Sequence, residues 1–248
     1  MSCPKLEGHA QSWPHLTNRF VMNPGRHACN LFKRRELLIP TVWGWAVLLL
    51  LGAALIVLGV REAHPFLTVN DPVPSKILVI EGWLPDYGLQ RTLAEFNRGQ
   101  YDRILVTGGP VSVGTILCGY TNWAEIGAAS LVRLGAGTNS VEAVPAPSVV
   151  RDRTYASAAA LKAWFHRHQI SATSFNLMTM ADHSRRSRLL FTEALGPEYH
   201  VGVISIENQD YVPGQWWKSS EGVRTVVGEL LAYGYARFLF WPPAPGRG

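Results

Sequence analysis

The chain has 248 residues, 47% hydrophobic and 17% charged, with a formal net charge of +5; this is enough for one good-sized domain plus a tail and excludes both a disordered and a multi-pass protein. Residues 1–36 carry six Lys and Arg against two Asp and Glu, whereas residues 61–248 carry 17 against 16. The basic excess therefore sits in the leader, and the rest of the chain, whose only basic run is Arg185, Arg186 and Arg188, offers no nucleic-acid-binding surface.

In chain order, residues 1–36 show neither apolar periodicity nor a capped helix and read as a basic cytoplasmic leader, with Met22 as an alternative start that leaves a shorter one. The 24 uncharged residues from Leu37 to Val60 follow. At 1.5 Å per residue they reach about 36 Å, enough to cross a hydrocarbon core of ~30 Å. Pro40 falls in the first turn, and Trp43 and Trp45 lie near an interface that indoles favour. Lys33, Arg34 and Arg35 precede the segment, while Arg61 and Glu62 cancel after it. The positive-inside rule thus predicts a single-pass anchor with a cytoplasmic N-terminus and an exported domain. Its apolar core is longer than that of a cleaved signal peptide. Cys118 is the one cysteine beyond the anchor, so no disulfide is expected within the exported part and no zinc site is indicated.

Residues 61–75 contain three prolines and read as an extended linker lifting the domain off the membrane. The domain, residues 76–241, opens with KILVIEG as a strand, DYGLQRTLAEFNRG as a helix and DRILVTGG as a second strand. NWAEIGAASLVRLGAG is a helix capped at Asn122 and stopped at Gly135, and a short strand is expected at Val141 to Val144. TYASAAALKAWFHRHQ is a helix, with Thr154 as its simplest N-cap; SFNLMTM is a strand, SRRSRLLFTEAL a helix and HVGVISI a strand. This alternation predicts an α/β domain: a mainly parallel, Rossmann-like sheet with helices on both faces, preceded by one transmembrane helix. A last helix from about Ser220 to Phe240 repeats Val223, Val226, Val227, Leu230 and Leu231 at helical spacing, which points to packing on the domain. Its aromatic finish leaves membrane contact as an alternative, and Glu229 and Arg237 argue against a second crossing.

In open parallel sheets ligands bind beyond the carboxyl ends of the strands, and every such end is polar here. The candidates are Glu81, Gly108 and Gly109, Arg153 and Thr154, and Asp182-His183 with Arg186 behind. Two adjacent glycines let a ligand approach the backbone, although a plain turn explains them equally. His183 and Arg186 stand at i and i+3 at a helix start, suited to moving a proton and to clamping a phosphate or carboxylate. Glu125, in the first turn of its helix, is a second candidate acid or base, and Arg185 and Arg188 read as solvated charges. No G-x-G-x-x-G, Walker loop or G-x-S-x-G elbow is present, so no cofactor is assigned, and no Asp/His cluster suggests a two-metal site.

The ordered set of an N-terminal anchor, ILVIEGW, Arg91, ILVTGG, Glu125, RDRTYASA and MTMADHSRRSRLL resembles the SanA/ElyC/YdcF-like envelope proteins over residues 76–206. On that comparison Gly108 and Gly109 match an S/T-G-G turn, Glu125 an acidic position, Thr154 a threonine, and His183 with Arg186 an H-x-x-R pair. Glu81-Gly82-Trp83, in place of small residues, and Ser187, in place of alanine, depart from the pattern. The resemblance implies a bacterial plasma-membrane protein acting in cell-wall or surface-glycan biogenesis, on a phosphorylated or lipid-linked intermediate. The alternative is a non-catalytic envelope factor that senses a ligand or docks a partner protein.

Overall fold

The computed structural model describes residues 39–111 and 119–242. The leader and Cys118 lie outside the described residues. Residues up to Ala46 cluster apart from Val47–Gly248; of the first unit the described part is Ile39 to Ala46, which contains the opening turn of the first helix.

That helix, α1 (Val42–Leu67), is the one described helix long and apolar enough to cross a membrane, and none of its most apolar stretch is buried. It runs seven residues beyond the predicted end at Val60, so the expectation of an extended linker from residue 61 is corrected. The reason is tertiary: Ala63, His64 and Leu67 form a helical face that buries against Tyr211, Trp216 and Val226, which outweighs the cost of Pro65 in the last turns. The chain beyond is also held. Asp71 bridges to Val203, and the Asn176 side chain accepts from the Val73 N–H and donates to its carbonyl, both at 2.8 Å. Arg185 donates to the Phe66 carbonyl and covers the Phe66 ring, and Arg188 pairs with Asp71 at 2.9 Å. Arg185 is thus not simply the solvated charge that the sequence suggested, and Arg188 stands in a partly exposed ion pair.

Five parallel strands follow: β1 (Ile77–Glu81), β2 (Arg103–Gly108), β3 (Val141–Pro145), β4 (Ser174–Met180) and β5 (His200–Ile206), in the order β3-β2-β1-β4-β5. The helices between them are α2 (Asp86–Phe96), α3 (Trp123–Arg133), α4 (Arg153–Arg167) and α5 (Ser184–Leu195). This is the Rossmann-like α/β sheet expected. Because successive strand residues face opposite ways, β1 sends Ile77 and Val79 to one core, with Phe165, Phe175 and Phe191, and Leu78 and Ile80 to the other, with Leu89, Leu131 and Met178. Burial on both faces explains the unbroken apolar runs in β1 and β2.

A 3₁₀ turn (Pro213–Lys218) leads into α6 (Ser220–Phe238), capped by the Ser219 hydroxyl accepting from Gly222 N–H at 3.0 Å. The expectation that its whole aliphatic stripe packs on the domain is met in part. Val226 is fully buried, whereas Val223, Val227 and Leu231 are exposed.

Candidate functional site

The strand order fixes where a site can form. From β1 the chain turns outward to β2 and β3, and from β4 to β5, so the connections after β1 and β4 diverge and open a crevice at the carboxyl ends of these two strands. Glu81 ends β1 and His183 stands just past β4, which places them on either side of that crevice.

Three glycines let α3 come down on the same edge. A Cβ on Gly82 would lie 2.2 Å from the Trp123 carbonyl oxygen, one on Gly108 2.7 Å from the Ala124 nitrogen, and one on Gly127 2.9 Å from the Gly82 Cα. Gly108 is therefore a packing glycine. Gly109 has nothing within 4 Å of a Cβ and borders open space. The adjacent pair thus divides between scaffold and cavity wall.

The cavity at this edge has a volume of about 480 Å³. Its floor includes Glu81, Thr107, His183 and Arg186; Trp83 and Trp123 stand on one side; Arg151, Asp152, Arg153 and Thr154 form the start of α4; Ala232, Tyr235 and Ala236 come from α6. Thr154 is not the cap expected of it. Asp152 holds the N-cap position, with φ 60° and ψ 38°, a left-handed conformation uncommon outside glycine, and Thr154 sits one residue inside the helix, on the cavity wall.

At the floor, four ionisable groups form one buried array. His183, 7% exposed, places Nε2 3.6 Å from Glu81 Oε1 and Nδ1 3.0 Å from Glu229 Oε1. Arg186 holds Glu229 with both arms of its fork, Nε to Oε2 at 2.8 Å and an Nη2 to Oε1 at 3.0 Å, and the same Nη2 lies 2.8 Å from His183 Nδ1. Nδ1 cannot serve both neighbours at once. Protonated, it donates to Glu229; unprotonated, it accepts from Arg186. Glu81 is tied from behind, its Oε2 accepting from the Thr179 hydroxyl and, at 3.2 Å, from Ser187. His183 Nε2 has no hydrogen-bond partner among the described residues, and Trp83 meets the imidazole edge-on at 5.3 Å.

The charges follow from these distances. Burial alone would lower the His183 pKa, but the Glu81 charge and the contacts to Glu229 and Glu81 outweigh it, bringing it up to about 9. Burial likewise opposes ionisation of Glu229, and the His183 and Arg186 contacts prevail, bringing it down to about 2. Glu81 is buried too, and His183 and Thr179 hold its pKa below the usual value. At neutral pH the array holds two cations and two anions. Arg151 pairs with Asp152 at 3.6 Å, so Arg153 gives the cavity its net positive charge, beside the positive end of the 15-residue helix α4.

Comparisons with protein-family models, with curated proteins and with solved structures gave no match.

Of the sequence candidates, the cavity gathers Glu81, Gly108, Gly109, Arg153, Thr154, His183 and Arg186. Glu125 is not on its wall. Its carboxylate turns back toward the Thr121 N–H at 3.4 Å, while its own N–H is capped by the Asn122 side chain at 2.9 Å, so the acid facing His183 is Glu81. Arg91 lines a separate depression beside Tyr87 and Glu207. Asp182 also turns away, accepting from Asn208 at 2.9 Å and Tyr211 at 2.8 Å. The sequence marks Glu229 only as an obstacle to a second crossing and Ser187 only as a departure from the family pattern, and assigns neither to the site, although an acid in the aliphatic stretch of a packed helix signals a buried partner; the Ser187 hydroxyl serves Glu81. Among the described residues no cluster of three or more His, Cys, Asp or Glu is arranged to hold a metal ion.

Proposed function

We propose that this is a membrane-anchored protein of the SanA/ElyC/YdcF-like kind, acting in cell-wall or surface-glycan biogenesis at the outer side of a bacterial plasma membrane. Its cavity takes a phosphorylated ligand bearing a sugar. Arg153, Thr154 and the first-turn amides of α4 meet the phosphate, and the indoles of Trp83 and Trp123 meet the sugar. His183 then gives a proton to the leaving oxygen as the phosphate ester is cleaved by water, and regains it from that water.

The observation that carries this reading is the imidazole of His183. It is buried, kept protonated by two carboxylates, and lacks a hydrogen-bond partner for Nε2 at the floor of a net positive cavity. Perturbed acid–base groups gathered in a cleft favour a functional site. The membrane setting rests on α1 and on the basic leader, which also gives the orientation.

A specific observation favours a second reading, ligand binding without turnover. The Arg186 fork is spent on Glu229, and His183 Nδ1 faces protein groups. In that case the array serves to fasten α6 to α5, and the cavity is a sensor.

One experiment separates the two. Full-length protein in lipid nanodiscs is titrated calorimetrically with glucose 1-phosphate, and free phosphate is followed by ³¹P NMR. The enzyme reading expects Arg153→Ala to lose binding and His183→Gln to bind but release no phosphate. Binding by the wild type with no phosphate released supports the sensor, and no binding by the wild type overturns both.

A further inference from the structure

We propose that the outward face of α6 lies on the surface of the same bilayer that α1 enters, as an interfacial helix. Val223, Val227 and Leu231 recur every fourth residue and Phe238 continues the row two turns on, so all four share one face. They are 41%, 41%, 72% and 77% exposed. Leu239 and Trp241 extend the apolar surface past the end of the helix, and Trp217 stands exposed before its start. An apolar row of this length, with an indole at either end, is unusual on a surface that meets only water.

The choice of lipid rests on continuity with α1. The flank of α6 beside the row, Val226, Leu230 and Tyr233, shares one apolar cluster with Val60, Ala63 and Leu67 of α1. Trp216 Nε1 donates to the Val60 carbonyl at 2.9 Å, and Tyr233 meets Phe66 edge-on at 5.4 Å. Trp216 abuts Gly222, since a Cβ there would lie 2.3 Å from its carbonyl oxygen. Between Gly222 and Tyr233 α6 advances about 16 Å, while from Val60 to Phe66 α1 advances about 9 Å. The start of α6 is thus held, through Trp216, at Val60, where the apolar stretch of α1 ends, and its middle at Phe66.

Charge follows the same division. Glu229 points away from the row, into the array with His183 and Arg186. Arg224 is neutralised by Glu221 one turn before it, and Arg237 has the reach to keep its head in water at an interface. Because α1 holds the row close to the bilayer, the local concentration of lipid favours it over any partner from solution. The inference rests on the part of the proposed function in which α1 crosses a membrane.

The test keeps the two claims apart. Full-length chain carrying Cys3→Ser, Cys29→Ser and Cys118→Ser receives a single nitroxide at Leu231→Cys, Phe238→Cys or Val223→Cys, all at exposed positions, in phosphatidylglycerol/phosphatidylethanolamine nanodiscs. Leu50→Cys in α1 is the lipid reference and Lys76→Cys the water reference. Residues 223, 231 and 238 are expected to collide with oxygen and to lose access to a water-soluble nickel chelate, as Leu50 does. If they match Lys76 while Leu50 stays shielded, the α6 inference fails and the anchor stands. Chelate access at Leu50 refutes the anchor and with it the inference. Spin–spin broadening at residue 231 identifies a second copy as the cover and overturns the lipid assignment.

Discussion

Glu229→Gln is the substitution that discriminates most sharply, because it removes one charge and no bulk from the array. In the wild type His183 titrates near 9 against an ordinary 6.5. At 1.36 kcal/mol per pH unit, that difference links to about 3 kcal/mol of stability. The folded pKa lies above the unfolded one, so the contribution is complete below pH 6.5 and is lost as pH rises through 9. Glu229 shares the same interaction from the acid side. Its pKa near 2 against 4.5 means stability present above pH 4.5 and lost as pH falls through 2, and the two contributions are one coupling, not a sum. In the variant the Arg186 guanidinium, 2.8 Å from Nδ1, faces the imidazole without the intervening carboxylate. The His183 pKa then falls, with Glu81 as its remaining anion, and the neutral imidazole accepts from Arg186. Unfolding temperature is followed from pH 6 to 10 by tryptophan emission, in detergent. Because Glu81 stays in the variant and also raises the His183 pKa, only part of the pKa difference goes with Glu229. Over that range the wild type is expected to lose more than Glu229→Gln, by at most about 6–12 °C, taking roughly 2–4 °C per kcal/mol for a domain of this size. Equal losses in the two proteins would mean that Glu229 does not hold the His183 proton.

Two further predictions bear on the scaffold. Gly108→Ala drives a methyl against the α3 backbone and is expected to cost about 1–3 kcal/mol, whereas Gly109→Ala, with open space around it, is expected to leave thermal stability unchanged; denaturant unfolding of both decides whether the pair divides as described. Asn176→Ala removes the clasp on Val73 and a 3.0 Å bond to the Tyr101 hydroxyl. It is expected to cost about 1–3 kcal/mol and to open residues 68–75 to proteolysis; unchanged cleavage would show that the segment is held without it.

Much of the fold was legible because its signals are local. The bounds of β4, α5 and β5 coincide with the predicted segments, since a strand covered on both faces is written mainly in apolar residues and a helix writes its own period. Asn122 caps α3 as read. What failed depends on partners distant in sequence. Whether Arg185 is solvated or seated on Phe66 is decided 119 residues away, and whether residues 61–67 form a linker or a helix is decided by Trp216 and Val226. The site follows the same rule. His183 and Arg186 were visible as a spaced pair on one helix, but the choice between Glu81 and Glu125 as the facing acid needs the strand order, which no local pattern carries.

The strand order also explains why α6 matters to the site. A crevice between β1 and β4 is lined by the sheet from below and by α3 and α4 from two sides. In a minimal sheet of this kind the buried imidazole of His183 would have Glu81 as its only anion, beside the Arg186 guanidinium. Glu229 is the added charge that makes the cluster neutral, and it arrives on α6, which, like α5 through Arg185, touches the end of α1. The residues that close the cavity and those that meet α1 thus lie within a few turns of each other on α6. A displacement of α6 must therefore either carry His183 and Arg186 along with Glu229 or break the bonds between them. A truncated chain lacking α1 is therefore expected to titrate His183 at a lower pH than the full-length chain, followed by its imidazole NMR signals against pH; an unchanged midpoint would show that Glu229 stays seated without α1.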